Sequence, residues 1–283
     1  MIDLILAESD LGVMVDGSEQ GPGKIYENIE KKNINRHHEI RKMPCEKEKE
    51  EGNKKRNLEN LVKYNEMLFD EIVNDKEFCV TLGGDHSIAI ASGLASKEKH
   101  GNIGIIWVDA HGDFNTFKTT ITGNIHGLPL AVLDGIEKND LADFFEGEFF
   151  NPKNTVILGA RDLDLLEKEN LEEAGVTIIT TEDIKNNGAQ EMTKKAIEGA
   201  LDGTDGIHIS YDIDVIDPEI APGVSVPAVD GISEKEAFEV LDELLKSKDI
   251  KSIDVVEYNP IKDIDNKTLK IATKITNKII KNY

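Results

Sequence analysis

The stretch IIWVDAHGDFN, residues 105–115, carries four bulky apolar residues, Ile105 to Val108, straight into Asp109, His111 and Asp113. A continuous apolar run of this kind reads as a strand covered on both faces. Nothing about a buried strand calls for two carboxylates and an imidazole at its end. The same transition recurs along the chain. FCVTL (78–82) runs into GGDHS, TVILGA (155–160) into RDLD, GIHISY (206–211) into DIDVIDP, and SIDVV (252–256) into EYNP. In open α/β sheets, ligands bind outside the carboxyl ends of the strands. Five strands that each end in acidic or histidine-bearing residues therefore point to one shared site.

Further β-type runs lie at 2–7 and 176–180, and the runs at 103–108 and 250–256 extend two of those above. Between them fall helical stretches at 57–73, 191–201 and 233–247, the last opened by a capping box of Ser233 and Glu236. This alternation predicts an α/β fold, a parallel sheet with helices on both faces. No internal repeat and no linker-like change of composition divides residues 1–283, so a single domain is expected. The charged run EKEKEEGNKKRN (46–57) reads as an exposed connection or frayed helix start without a function.

With 39% hydrophobic residues the chain can bury a sizeable core, yet no apolar stretch is long enough for a membrane span. MIDLILAESD lacks a basic region and a cleavage site and reads as a first strand rather than a signal peptide. The net charge of −22 repels phosphate, which argues against nucleic acid and anionic membranes and favours a cationic substrate or metal ions. The two cysteines, Cys45 and Cys79, are far apart and form no CxxC, so a reducing cytoplasm is expected. Cys79 and Trp107 read as core, His208 as structural, and His37, His38 and His100 as exposed.

In an extended chain residues i, i+2 and i+4 share a side, which would align Asp109, His111 and Asp113, and likewise Asp212 and Asp214. Four aspartates packed together cannot all ionise unless cations sit among them. Four carboxylates balance two divalent ions, and oxygen-rich ligands with one imidazole per ion suit a harder ion such as Mn(II).

GGDHS, WVDAHGD, TGNIHG and SYDIDVIDP together resemble, in order and spacing, the ureohydrolase family, and its arginases most closely. The resemblance runs from GPGKI near residue 21 to VEYNP at 256–260. It implies a three-layer α/β/α domain and two Mn(II) ions, one held by His86, Asp109, Asp113 and Asp212, the other by His111, Asp109, Asp212 and Asp214. A water shared by two such ions would be hydroxide near neutral pH and could attack a guanidinium carbon, giving urea and an amine. The resemblance further makes His126 a catalytic proton carrier and Glu257 the partner of the guanidinium. Asn115, Thr120 and Thr122 would hold an α-carboxylate, and Asn124 is a further substrate-binding residue. Asp164 would take the α-amino group, with Glu167 acting through water.

These matches favour L-arginine, cleaved to L-ornithine and urea, and the family implies a trimer or hexamer. Two departures stand out. Val226 replaces a threonine hydroxyl near the guanidinium, and its surroundings, APGVSVP, resemble formimidoylglutamases; Lys118 and Ile121 interrupt the polar substrate loop. The alternatives are another ureohydrolase, acting on agmatine, a guanidino acid or a formimino compound, or a non-catalytic regulator on the same fold. A metal-dependent deacetylase on a related fold would leave Glu257 and the GNIHG loop without a purpose.

Overall fold

The structure is a computed structural model, and it describes all residues except 43–44, 51, 76 and 139. Eight strands form one sheet: β1 (Ile2–Glu8), β2 (Ile34–Arg41), β3 (Phe78–Gly83), β4 (Gly104–Val108), β5 (Thr155–Ala160), β6 (Thr177–Thr180), β7 (Ile207–Asp212) and β8 (Ile250–Val256). Their order is β2-β1-β3-β8-β7-β4-β5-β6, and every pairing is parallel. All carboxyl ends thus lie along one edge, with β3, β8, β7 and β4 adjacent at the centre.

Alternate residues of the strands feed two cores. Leu4, Val80, Ile106, Leu158, Ile209 and Val255 pack on one face against α1 (Gly21–Asn28) and four later helices, whose buried residues include Ile25, Ile184, Met192, Leu241 and Ile275. Ile5, Cys79, Ile105, Trp107 and Ile157 pack on the other face against α2 (Leu58–Asn74), α3 (Ala89–His100), α4 (Pro129–Leu133) and α5 (Leu165–Ala174). The later helices of the first face are α6 (Thr181–Asn187), α7 (Ala189–Ala200), α8 (Glu234–Leu244) and α9 (Lys267–Asn282). The result is the expected three-layer α/β/α arrangement. Ser233 caps α8 in a reciprocal capping box with Glu236.

The expected strands all form, with ends shifted by at most a residue. Strand β2 was not expected, because INRHHEIR sits at the sheet edge, is largely solvent-facing and carries no apolar run. Helix α3, AIASGLASKEKH, was missed for the opposite reason: Ala89 to Lys97 are all buried, so it has no polar face to create a period. His37 is exposed and His38 half-buried on β2. His100 is not exposed: it is half-buried at the end of α3, and burial pushes its pKa down to about 4.

The run 46–57 departs from expectation only in part, apart from position 51, which lies outside the described residues: Glu46, Glu48, Lys49, Glu50, Gly52 and Lys55 are exposed as expected, but Lys47, Arg56 and Asn57 are pinned. It is no loose connection. The Lys47 side chain is only 6% exposed and bridges Asp10 and Asp16. Arg56 and Asn57 are buried, and Asn57 donates to the Leu11 carbonyl at 3.0 Å. Charged stems pack well when their heads find oxygens, which composition cannot reveal.

Gly84 shows how tightly the carboxyl edge is assembled. Its N–H donates to the Ala7 carbonyl, and its own carbonyl accepts from the Glu257 N–H. A Cβ there would lie 1.9 Å from the Ser9 carbonyl oxygen. Gly84→Ala should therefore lower stability by about 1–3 kcal/mol, as overpacking does. Urea unfolding measures this, and an unchanged midpoint would show that the β1 and β3 turns can separate freely.

Candidate active site

The sheet's carboxyl edge gathers residues from four adjacent strands. His86 begins a short turn after β3, fixed by Asp85, whose carboxylate accepts from the N–H groups of Ser87 and Gly12, both at 2.8 Å. The His86 ring stacks on Trp107, centroids 3.9 Å apart, and its Nε2 pairs with Ser210 Oγ at 2.9 Å. Held on both sides, Nδ1 faces three carboxylate oxygens: Asp109 at 3.0 Å, Asp113 at 3.1 Å and Asp212 at 3.1 Å. It makes a proper hydrogen bond with none of them. Beside this group, His111 Nδ1 lies 2.9 Å from Asp214 and 3.4 Å from Asp109.

These two clusters, His86/Asp109/Asp212 and Asp109/His111/Asp214, share Asp109. Strand parity does not bring them together, contrary to expectation. β4 ends at Val108, and Asp113 adopts a left-handed backbone at φ 49°. β7 ends at Asp212, which caps a short 3-10 turn by accepting from the Asp214 N–H at 2.7 Å. The turns after the strands, rather than continued extended chain, aim the carboxylates.

Burial raises the pKa of Asp212 well above the usual carboxylate range and that of Asp113 to about 6, reinforced by the neighbouring aspartates. Asp214 is raised for the same reasons. Such a set costs free energy until positive charge enters it. His86 Nδ1 and Asp109 Oδ2 are buried without hydrogen-bond partners. Unpartnered nitrogen and carboxylate donors, clustered and without thiolate, fit hard divalent cations at both positions. The Ser210 contact at Nε2 suits the tautomer that leaves Nδ1 free to coordinate.

Glu257, just past β8, also has a left-handed backbone, at φ 69°. Its Oε1 accepts from the His86 N–H at 2.8 Å and pairs with His126 Nδ1 at 2.8 Å. Its Oε2 is buried and unpartnered. A non-glycine residue in this conformation is strained, a condition that collects at functional sites. The direct His126–Glu257 pair was not foreseen, since nothing in sequence spacing relates positions 131 residues apart.

Above these groups opens a cleft lined by His111, Asp113, Asp212 and Asp214, by Asn115, Thr120, Thr122 and Asn124, by Asp162, Asp164 and Glu167, and by His126, Gly127 and Val226. His86, Asp109 and Glu257 lie buried beneath it. Asp164 and Glu167 form the capping box of α5. Asp164 also accepts from Asn115 Nδ2 at 3.1 Å. Both Glu167 oxygens take backbone N–H groups, from Phe114 and Asp164, and burial raises its pKa to about 8. Glu167 thus braces the cleft while lining it. Lys118 is exposed and Ile121 is 77% exposed, and neither lines the cleft.

Two arginines escaped sequence reasoning. Arg161 donates to the carbonyls of Asp214, Val215, Ala228 and Val229, tying the Asp214 turn to the segment that follows Val226. Arg56 donates to the Thr122 carbonyl at 2.7 Å and to Asn124 Oδ1 at 2.9 Å. Arg161 belongs to the RDLD cluster already marked by its place after a strand, whereas Arg56 sits in a charged run where nothing distinguishes it.

Burial alone would lower the pKa of His126, but the Glu257 carboxylate outweighs it and raises the value to about 9. The pair's contribution to stability is full below the free histidine pKa of about 6.5 and is lost as pH rises through the folded value. Imidazole NMR titration should place His126 near that raised value, and Glu257→Gln should lower it, with Asp113 and Asp85 still opposing the effect of burial. A titration that does not respond to Glu257→Gln would mean the two groups are not paired.

Residues 2–281 match the family model described as "Arginase family". The chain is 36% identical to the arginase of Bacillus subtilis (strain 168), the match covering 99% of this chain and 97% of that protein. It is 35% identical to the arginase of Bacillus caldovelox, with 97% and 96% covered. Among solved structures, the Entamoeba histolytica arginase in complex with L-ornithine superposes with a TM-score of 0.91 at 28% identity, covering 99% of this chain and 97% of that one. Together with the paired clusters at the carboxyl edge of the sheet, these matches show that the chain belongs to the arginase family of amidinohydrolases.

Proposed function

We propose that this enzyme cleaves the guanidinium group of L-arginine with water, giving L-ornithine and urea. In this reading it works as a single 1–283 domain with two Mn(II) ions, in a homo-oligomer in the cytoplasm. No helix among the described residues is long and apolar enough to cross a membrane. The observation that carries the proposal is the sharing of Asp109 between two histidine–carboxylate clusters directly beneath a cleft. His86, Asp109, Asp113 and Asp212 would hold one ion, and His111, Asp109, Asp212 and Asp214 the other. Two divalent ions there would supply a nucleophile from water at neutral pH and stabilise developing negative charge. L-Ornithine, the product expected here, is the molecule bound in the Entamoeba histolytica relative.

The chain's own residues account for the rest. Glu257 offers a buried, unpartnered Oε2 to the cationic guanidinium. His126 lines the cleft and is kept protonated by Glu257, so it can deliver a proton to the leaving nitrogen as the C–N bond breaks. At the other end, Asp164 would accept from the α-ammonium, and Asn115, Thr120, Thr122 and Asn124 would surround the α-carboxylate. Glu167 holds Asp164 and Phe114 in place rather than reaching the substrate directly. Val226 on the lining favours a second reading, a related guanidino or formimino substrate, since it offers no hydroxyl to a guanidinium N–H.

Urea release measured in parallel with L-arginine and agmatine tests the substrate, with arginine expected to be the better one. Elemental analysis after Mn(II) incubation should find about two ions per chain, one for each pair of aspartates. Asp212→Ala should lose both activity and metal, and a variant that kept both ions would refute the bridging role of Asp212. Val226→Thr changes shape little and adds a hydroxyl. It should raise kcat/KM on arginine by about 10- to 100-fold, the worth of one hydrogen bond to a charged group. Unchanged kinetics would mean Val226 only packs the loop.

A further inference from the structure

The cleft lining is divided by charge. Residues 162–167 bring Asp162, Asp164 and Glu167, whereas the 120–124 loop brings only hydroxyls and an amide. That loop is not self-supporting. Thr120 Oγ1 accepts from the Gly123 N–H at 3.0 Å and Thr122 Oγ1 from the Asn124 N–H at 3.2 Å, so part of its polar capacity is spent within the turn. Its outer support is the 53–56 segment. Gly123 has φ +70°, and a Cβ on it would meet the Asn53 carbonyl at 2.8 Å and Arg56 Nη1 at 3.1 Å. Lys54 Nζ donates to the Lys118 carbonyl at 3.0 Å.

Arg56 is the centre of this contact and is only 3% exposed. One guanidinium nitrogen, Nη1, donates to the Asn53 and Glu50 carbonyls; the other, Nη2, donates to the Thr122 carbonyl and Asn124 Oδ1. Among the described residues all four acceptors are neutral. A buried guanidinium ordinarily finds a carboxylate, because removing it from water otherwise leaves its charge uncompensated. Here the full positive charge stands directly behind the two cleft-lining residues Thr122 and Asn124.

We infer that Arg56 is the positioning residue for the anionic end of the substrate: it fixes the 120–124 loop and lends that neutral surface positive charge, so the cleft selects guanidino compounds that carry a carboxylate at the far end. A zwitterionic head group then meets a negative region at Asp164 and a positive one backed by Arg56, which orients it before any direct contact forms. The inference deepens the arginine reading above and rests on it. It accounts for the expectation that agmatine, which has no carboxylate, is the poorer substrate.

The test is titration of the manganese-loaded enzyme with L-ornithine and with putrescine, which differ by the α-carboxylate. The native protein should prefer ornithine. Arg56→Gln should reduce the ornithine-to-putrescine affinity ratio by about tenfold, the effect of one charge acting through the loop. Its loss on arginine should appear in KM rather than kcat. Arg56→Lys keeps the charge but cannot reach all four acceptors, so it should retain more of the ratio than Arg56→Gln without matching native. The lysine variant, the milder change, decides the matter if Arg56→Gln does not fold. Equal weakening of both ligands in Arg56→Gln would reduce Arg56 to a structural prop and overturn the inference. So would a lysine variant that loses the preference, or a native protein without one. Urea release is measured separately: a native protein that does not act on arginine refutes the hydrolytic reading, and the binding ratio still decides the role of Arg56.

Discussion

The mutual repulsion of four buried aspartates organises this molecule. Asp109, Asp113, Asp212 and Asp214 are all nearly excluded from water, and their carboxylates crowd two imidazoles. No apolar packing would bring them together, because each added carboxylate raises the cost of ionising the others. The fold must therefore hold them by force, and the surrounding structure is the means. The four central strands all deliver their carboxyl ends to one edge. Trp107 and Ser210 clamp His86, and Arg161 ties down the carbonyls behind Asp214. Cations held there would relieve the strain that this framework maintains.

Local backbone geometry does the final aiming. Strands give direction, but the ligand atoms come from turns: the 3-10 turns after β3 and β7, and the left-handed residues Asp113 and Glu257. Such conformations persist only where neighbours over-determine them. Gly84 is one such neighbour, linking the β1 turn to Glu257 through its own N–H and carbonyl. Rigidity at this edge and precision at the site are therefore one property.

Around this edge lies a collar built from the turn after β1, the 46–57 run apart from position 51, and the 120–126 loop. The Gly12 carbonyl accepts from the His126 N–H at 3.1 Å, so even His126 is set in place by this collar. Lys47 and Arg56 fasten it with charged hydrogen bonds rather than apolar contacts. The histidine–carboxylate clusters thus sit on the sheet, and the far wall of the cleft on loops that lean on one another.

The sequence by itself determined the sheet, because strands buried on both faces must be continuously apolar and break sharply where the chain turns polar. It also determined which residues end those strands, and so the membership of the two histidine–carboxylate clusters. Glycine-rich and acidic turns such as GGDHS and DAHGD are conspicuous against apolar runs. Only the tertiary structure decided how those residues meet. The pairing of His126 with Glu257, the sharing of Asp109 and the seating of Arg56 behind Asn124 all join positions far apart in the chain. Their geometry is set by turns whose conformation depends on distant neighbours. The strand β2 went unread because an exposed edge strand carries no apolar run, and the buried residues of the 46–57 run because their roles depend on which distant oxygens their charged side chains reach.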